Sequence, residues 1–286
     1  MAEAVGIVTG AAGLVGAFTS CLECFKIIQL GRNFERDFKD HQLTLDLLHG
    51  RLLRWGEGMG LDPDYDDPLP GSLITTSKGP GPKLAERVVR QILALFEESS
   101  AQAAKYRQEP WNADNLALCS PADLAPVAKS IHEKFMALSL RGKKAPSKRS
   151  IAKWALYEAE DFQSMVTKID RYLNNLEKAF PIPAEREQSL LRDEAARFSD
   201  PMEIDTIGGA AEKFDGKLHQ KLNESGHKFR DVSITNESRV HNGDIYRNDG
   251  PSNVVGASHS FEGIRADNKS RIHNGNKFGG KDVFDD

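Results

Sequence analysis

"GIVTGAAGLVGAF", residues 6 to 18, decides the fold class. As a loop, its Thr9, Gly10, Gly13 and Gly16 have the T-G-x-x-G-x-x-G spacing that cradles a dinucleotide pyrophosphate, and the protein would be α/β. As a helix, the same letters open an all-α bundle. A cofactor loop requires a strand before it, a helix after it, and an acidic residue closing a second strand about 20 residues on. Only Val5 to Val8 could be that strand, and the next long pattern is helical, with Leu43, Leu47, Leu48, Leu52 and Trp55 at 3.6-residue spacing. No alternation of βαβ units follows.

Dehydrogenases with such loops also use a Tyr-x-x-x-Lys pair. The residues four after Tyr65, Tyr106, Tyr157, Tyr172 and Tyr246 are Leu69, Pro110, Asp161, Leu176 and Gly250, so no such pair exists. The chain is expected to be no enzyme, with no catalytic residue and no cofactor.

The helical reading fits better. From Ala4 to Leu22 there is no charged residue, a run of 19. As a helix it reaches about 28 Å, near the thickness of a bilayer's hydrocarbon core. Gly6 and Gly10, and Ala12 and Gly16, fall at small-xxx-small spacing, which lets helix backbones approach closely in lipid. Gly6, Gly10, Ala12, Gly13, Gly16, Phe18 and Leu22 are therefore the candidate membrane-inserting residues. A secretory signal is not expected, because Glu3 precedes the run and no basic region does. In the resting protein, the segment is expected to be the buried first helix of a soluble bundle.

At 286 residues, 39% hydrophobic and net −4, the chain can fill one fair-sized globular domain plus an extra region, and its charge does not suit nucleic acid. Three cysteines point to a reducing compartment. Cys21-x-x-Cys24 has no second pair and no histidine cluster near it, so no metal site is expected. Further helical stripes are Leu84, Val88, Ile92 and Leu95; Val127, Ile131, Phe135 and Leu138; and Phe162, Met165, Ile169, Leu173 and Leu176, stopped by Pro181. Gly56 to Pro82 and the basic run Arg141 to Arg149 read as loops. Residues 1–222 thus read as an all-α helical bundle, and 223–286 as a separate tail.

From Lys228 to Asp286 the stripes stop, and nine basic residues balance nine acidic ones. Alone, such a segment buries too little to offset its ordering entropy, and it is expected to be disordered when soluble. Yet "FRDVSITNESRVHNGDIY" (229–246) and "FEGIRADNKSRIHNGNKF" (261–278) align without a gap at an offset of 32 residues. Phe, Asn, Ser, Arg, His, Asn and Gly recur identically.

A repeat of this period suggests stacked units, and the alternation inside it says β. Val232, Ile234, Asn236, Ser238 and Val240 share one parity, as do Ile264, Ala266, Asn268, Ser270 and Ile272, so these positions are expected on one buried face. If the repeats lie over one another, Arg230 meets Glu262 and Glu237 meets Lys269, while Arg239 over Arg271 is a like pair. Asn236 over Asn268 and Asn242 over Asn274 would form amide ladders, and Asn-Gly at 242–243 and 274–275 would supply corners. Two rungs are too few to stand alone, so the missing neighbours must be other copies of the motif.

The duplicated N-x-S-R-[VI]-H-N-G motif and the ending "GNKFGGKDVFDD" resemble the prion-forming region of the fungal HET-s/HET-S heterokaryon-incompatibility family. The amino-terminal "GLVGAFTSCLECFKIIQLGRNFERDF", with "KWALYEAEDF" later, resembles that family's helical HeLo domain. The resemblance implies a tail that forms a two-rung β-solenoid in amyloid, with Phe278, Val283 and Phe284 in its carboxy-terminal loop. It implies that templating of the tail refolds the helical domain and drives Ala4 to Leu22 into membranes. The implied partners are the protein itself, other proteins bearing the same amyloid motif and, after activation, membrane lipids. The implied location is cytoplasmic when soluble and the cell membrane on activation. A third rung-to-rung charge pair of the family is replaced here by Thr235 over Asp267, and Asn33 stands where toxic and purely prion-forming alleles differ. The alternative is a prion-like scaffold that assembles without permeabilising membranes.

Overall fold

The computed structural model describes residues 2–63, 65, 67–76, 81–109, 116–138, 154–198, 200–224, 228–230, 232–242 and 260–274; at 2–12, 75, 76, 228–230, 260 and 261 it describes the backbone alone. The opening stretch is helix: α1 spans Ala2–Ile27, and the candidate strand Val5 to Val8 lies inside it. The chain then passes through β1 (Ile28–Leu30) and a 3-10 turn (Arg32–Asp37) into α2 (Phe38–Met59). Next come α3 (Leu73–Thr76), α4 (Gly81–Gln108), α5 (Pro126–Leu138) and β2 (Trp154–Leu156). The body closes with α6 (Ala159–Ala179), α7 (Ala184–Ala195), α8 (Pro201–Phe214) and α9 (Gly216–Glu224).

The central element is α2. Leu43, Leu47, Leu48, Leu52 and Trp55 are buried, as the spacing predicts, and so are Asp46, His49, Arg51 and Arg54 on its other sides. A helix enclosed all round belongs at the middle of a bundle, and α1, α5, α6, α7 and α8 all pack on it. It ends at Gly60, whose φ of 83° lets its N–H cap the carbonyls of Glu57 and Gly56. On α6, the predicted stripe from Phe162 to Leu176 is buried throughout, and the helix stops at Phe180 before Pro181. Each large apolar side chain so enclosed stabilises the fold by about 1.5–3 kcal/mol.

Two sequence expectations are corrected, and two details are added. The loop expected over Gly56 to Pro82 is shorter, because α2 runs to Met59 and α4 starts at Gly81, with α3 between them. On α4, Leu84 and Val88 are only half-buried; the inward line is Ala85, Val89, Ile92, Phe96, Ser99 and Ala103. The body is the expected all-α bundle, and one small parallel pair is added to it, β1 with β2, Ile28 with Trp154 through Leu30 with Leu156. The last helix runs two residues past 222, and its Leu218 and Leu222 belong to the core. The basic run Arg141 to Arg149 lies outside the described residues.

In the tail, β3 (Lys228–Arg230), β4 (Ser233–Ile234) and β5 (Arg239–Asn242) form a first rung. A second rung consists of β6 (Ser260–Glu262), β7 (Arg265–Ala266) and β8 (Arg271–Asn274). The rungs pair in parallel, Phe229 with Phe261, Ile234 with Ala266 and Val240 with Ile272, so every register step is the 32-residue offset of the repeats.

Candidate functional sites

The first site is the seat of α1. Its inward stripe of Leu14, Val15, Phe18, Cys21, Leu22 and Phe25 is buried. Phe25 meets the Phe96 ring of α4 edge-on at 4.9 Å, and the Cys21 thiol donates to the Val89 carbonyl at 3.4 Å. Phe18 lies against the bare backbone of Gly56 on α2, where a Cβ would overlap its ring. Gly56 is therefore a close-approach glycine: its missing side chain makes the groove that Phe18 fills. Gly13 faces the Glu86 carboxylate of α4, which Arg90 pairs at 2.7 Å, whereas Gly16 faces open space. Gly6, Gly10 and Ala12 are in the helix, but their surroundings lie outside the described residues. Among the described residues, no helix is long and apolar enough to cross a membrane.

Under α1, His49 is 1% exposed, with the Phe25 ring tilted against it at 5.6 Å and no hydrogen bond to either ring nitrogen. Burial, then Lys26 and His132, pushes its pKa down to about 3, so the ring is neutral. Cys21 and Cys24 are both buried and unbridged. Burial, then Glu23 and Glu97, pushes the Cys24 thiol up to about 12, which leaves no nucleophilic thiolate there. Asn33, in the 3-10 turn, donates from its amide to the Tyr157 carbonyl at 3.2 Å, just beyond β2.

The second site is a buried ionic lock that the sequence analysis missed. The guanidinium of Arg54 bridges Asp215 at 2.6 Å and Glu194, and all three side chains are 6% exposed or less. Burial works against the Arg54 charge, but Asp215 and Glu194 outweigh it and hold it firmly protonated. Asp215 also accepts from the Leu218 N–H at 3.1 Å, capping α9. One turn back on α2, Arg51 binds Asp170 at 2.7 Å, Glu177 at 2.8 Å and the Phe214 carbonyl at 2.6 Å. Together the two arginines fasten the α8–α9 corner to α2. Both stand in "LLHGRLLRWG", cations inside an apolar run, which was the available signal.

The third site is the rung stack. Glu237 and Lys269 come within 3.8 Å, with both side chains well exposed. Arg230 and Glu262 are register partners, though the Arg230 side chain lies outside the described residues. Asn242 donates to the Asn274 carbonyl oxygen at 3.1 Å and is 5% exposed, one step of an amide ladder. Ile234 is buried, Val232, Val240, Ile264 and Ile272 are half-buried, and Ala266 is exposed. Asn236, Ser238 and Asn268, expected on the buried face, are exposed, because a turn at 236–237 and again at 268–269 breaks the alternation. The two histidines common to the repeats, His241 and His273, stack at 4.7 Å with an interplanar angle of 11°. Phe278, Val283, Phe284 and the corner glycines at 243 and 275 lie outside the described residues.

Comparison with known proteins places this geometry in a family. The HeLo family, described as prion-inhibition and propagation, matches residues 6–207. Heterokaryon incompatibility protein s of Podospora anserina is 32% identical over 253 residues, covering 86% of this chain and 84% of that protein. Heterokaryon incompatibility protein S of the same fungus is 31% identical over 253 residues, with the same coverage of 86% and 84%. The solved structure of the HET-s N-terminal domain superimposes with a TM-score of 0.64 at 30% identity, covering 74% of this chain and 95% of that one. A double mutant of that domain gives a TM-score of 0.62 at 30% identity, covering 74% and 97%.

Proposed function

Because the chain belongs to the HeLo family of prion inhibition and propagation, we propose that it is an amyloid-signalled cell-death effector of heterokaryon incompatibility. In this reading, residues 1–222 are the effector and 223–286 the prion-forming part. Copies of the tail add to one another, and tails of other proteins with the same motif start the process. The helical body then refolds and frees α1, and residues 4–22 enter the membrane as the pore-forming segment. The protein is cytoplasmic while soluble and at the cell membrane once active. It works by assembly and insertion, with no catalysed reaction and no cofactor.

The observation that carries the reading is the parallel pairing of the two repeats at a constant 32-residue offset. Such a stack has unpaired edges on both sides, and further copies can continue it. Geometry then supplies the force. Two rungs advance a fibre by about 9.6 Å per chain, whereas a body of this length has a radius of gyration of about 17 Å. Only residues 225–227 separate α9 from β3. Bodies tethered so closely cannot all keep α9 docked, and strain on α9 falls on the Asp215–Arg54 contact. Arg54 and Gly56 are near neighbours on α2, so loosening there reaches the groove that holds Phe18.

The test seeds the full chain with fibrils of its own tail and measures dye release from liposomes. Release is expected in the parent. Ala12→Asp places a charge near the middle of the inserting segment, at about 2.5–3.5 kcal/mol, which lowers insertion roughly a hundredfold. That variant should still form fibrils while release is lost. Undiminished release would remove the membrane step and leave the scaffold that only assembles.

A further inference from the structure

Each rung of the tail turns through two successive residues in left-handed backbone. They are Asn236 (φ 64°) and Glu237 (φ 56°) in the first rung, Asn268 (φ 53°) and Lys269 (φ 60°) in the second. Left-handed backbone crowds the Cβ against a carbonyl, so glycine is the usual occupant and asparagine is tolerated through its short amide. Glutamate and lysine are disfavoured there. The Glu237–Lys269 ion pair, spread over exposed side chains, does little to compensate.

The turns are held instead by backbone contacts between rungs. The Glu237 N–H donates to the Asn268 carbonyl at 3.0 Å, and the Arg271 N–H donates to the Ser238 carbonyl at 2.9 Å. Inside the first turn, the Ser238 hydroxyl donates to the Thr235 carbonyl at 2.8 Å. The strained conformation is thus favourable only where a second rung already lies against it.

We propose that the left-handed Glu237 and Lys269 are a kinetic brake that keeps the chain from assembling without a template. This rests on the assembly reading above. In a nucleus of several chains no finished rung is available, so every chain's turns must bend with only the contacts between its own two rungs to offset them, and the disfavoured backbone is multiplied by the number of chains. Growth on an existing end bends one chain at a time against a finished rung. The brake therefore weighs on spontaneous nucleation more than on templated growth, which suits a protein that must wait for a signal.

Two double variants of the full chain isolate the effect. Glu237→Gly with Lys269→Gly and Glu237→Ala with Lys269→Ala both remove the ion pair, but only the glycines relieve the left-handed backbone. Unseeded lag and seeded growth are followed by thioflavin fluorescence at matched concentration. The glycine chain is expected to show a lag shorter than the alanine chain's by about tenfold or more, even after the extra freedom of glycine in the unassembled tail. Its seeded growth should quicken by less than its lag shortens. Equal lags in the two variants, or equal acceleration of lag and growth, would overturn the brake. A parent chain that tail fibrils cannot seed would instead overturn the assembly reading, and the parent alone shows it.

Discussion

The helical body and the tail enclose their side chains by different rules. In the body, α2 is surrounded by segments of the same chain, and even Arg54 finds its partners Glu194 and Asp215 140 and 161 residues away. In the tail, Ile234 is the one apolar side chain buried among the described residues, while Val232, Val240, Ile264 and Ile272 are half-covered and Ala266 is exposed. The body is enclosed by its own sequence; in the tail, among the described residues, each rung has one other rung to lie against. On the assembly reading, stability of the first is a property of one molecule, while that of the second grows with every copy added.

The largest effect that tests this division is Arg54→Met. It leaves Glu194 and Asp215 buried without their cation, and the body should lose about 3–5 kcal/mol in denaturant unfolding followed by helical circular dichroism. Seeded with tail fibrils, the same full-length variant should still extend them at the parental rate. Equal damage to both would show that the two regions are one cooperative unit.

Acid gives the next effect, and only in the body. His49 is neutral when folded, with its pKa near 3, and accepts a proton near pH 6.5 when unfolded. Its contribution is complete above pH 6.5 and is lost as the pH falls from 6.5 towards 3, about 2 kcal/mol by pH 5. His49→Leu should flatten that part of the stability profile. A profile with the same slope in the variant would assign the acid sensitivity elsewhere.

The smallest effect sharpens the tail side. Glu237→Lys sets like charges across the rungs and should slow fibril growth by a factor of a few, since exposed pairs contribute about 0.2–1 kcal/mol. Combining it with Lys269→Glu swaps the pair and should restore the rate. Equal slowing in the single and double variants would mean that fibrils use a register other than the 32-residue one.

What the sequence showed depended on how local the cause was. The stripes of α2, α5 and α6 follow from spacing along one helix, and the uncharged run within α1 hides its apolar side by the same rule. The rung register was legible because a repeat carries its own alignment. The pairing of β1 with β2 was not, since three-residue strands are too short for alternation to register. Nor were the partners of Arg51 and Arg54, which depend on how α6, α7 and the α8–α9 corner are brought to α2. That Asn236 and Asn268 sit exposed at turns was not legible either, because left-handed residues turn the strand, which alternation alone does not disclose.

Parallel pairing of unlike repeats has one more consequence. A polymer built this way has direction: one tip always ends in the rung that carries Glu237, the other in the rung that carries Lys269. The two tips are chemically different surfaces, as in a cytoskeletal filament, and an incoming chain meets opposite charge at each. A fragment holding a single repeat would then act as a cork for one tip and leave the other free to lengthen.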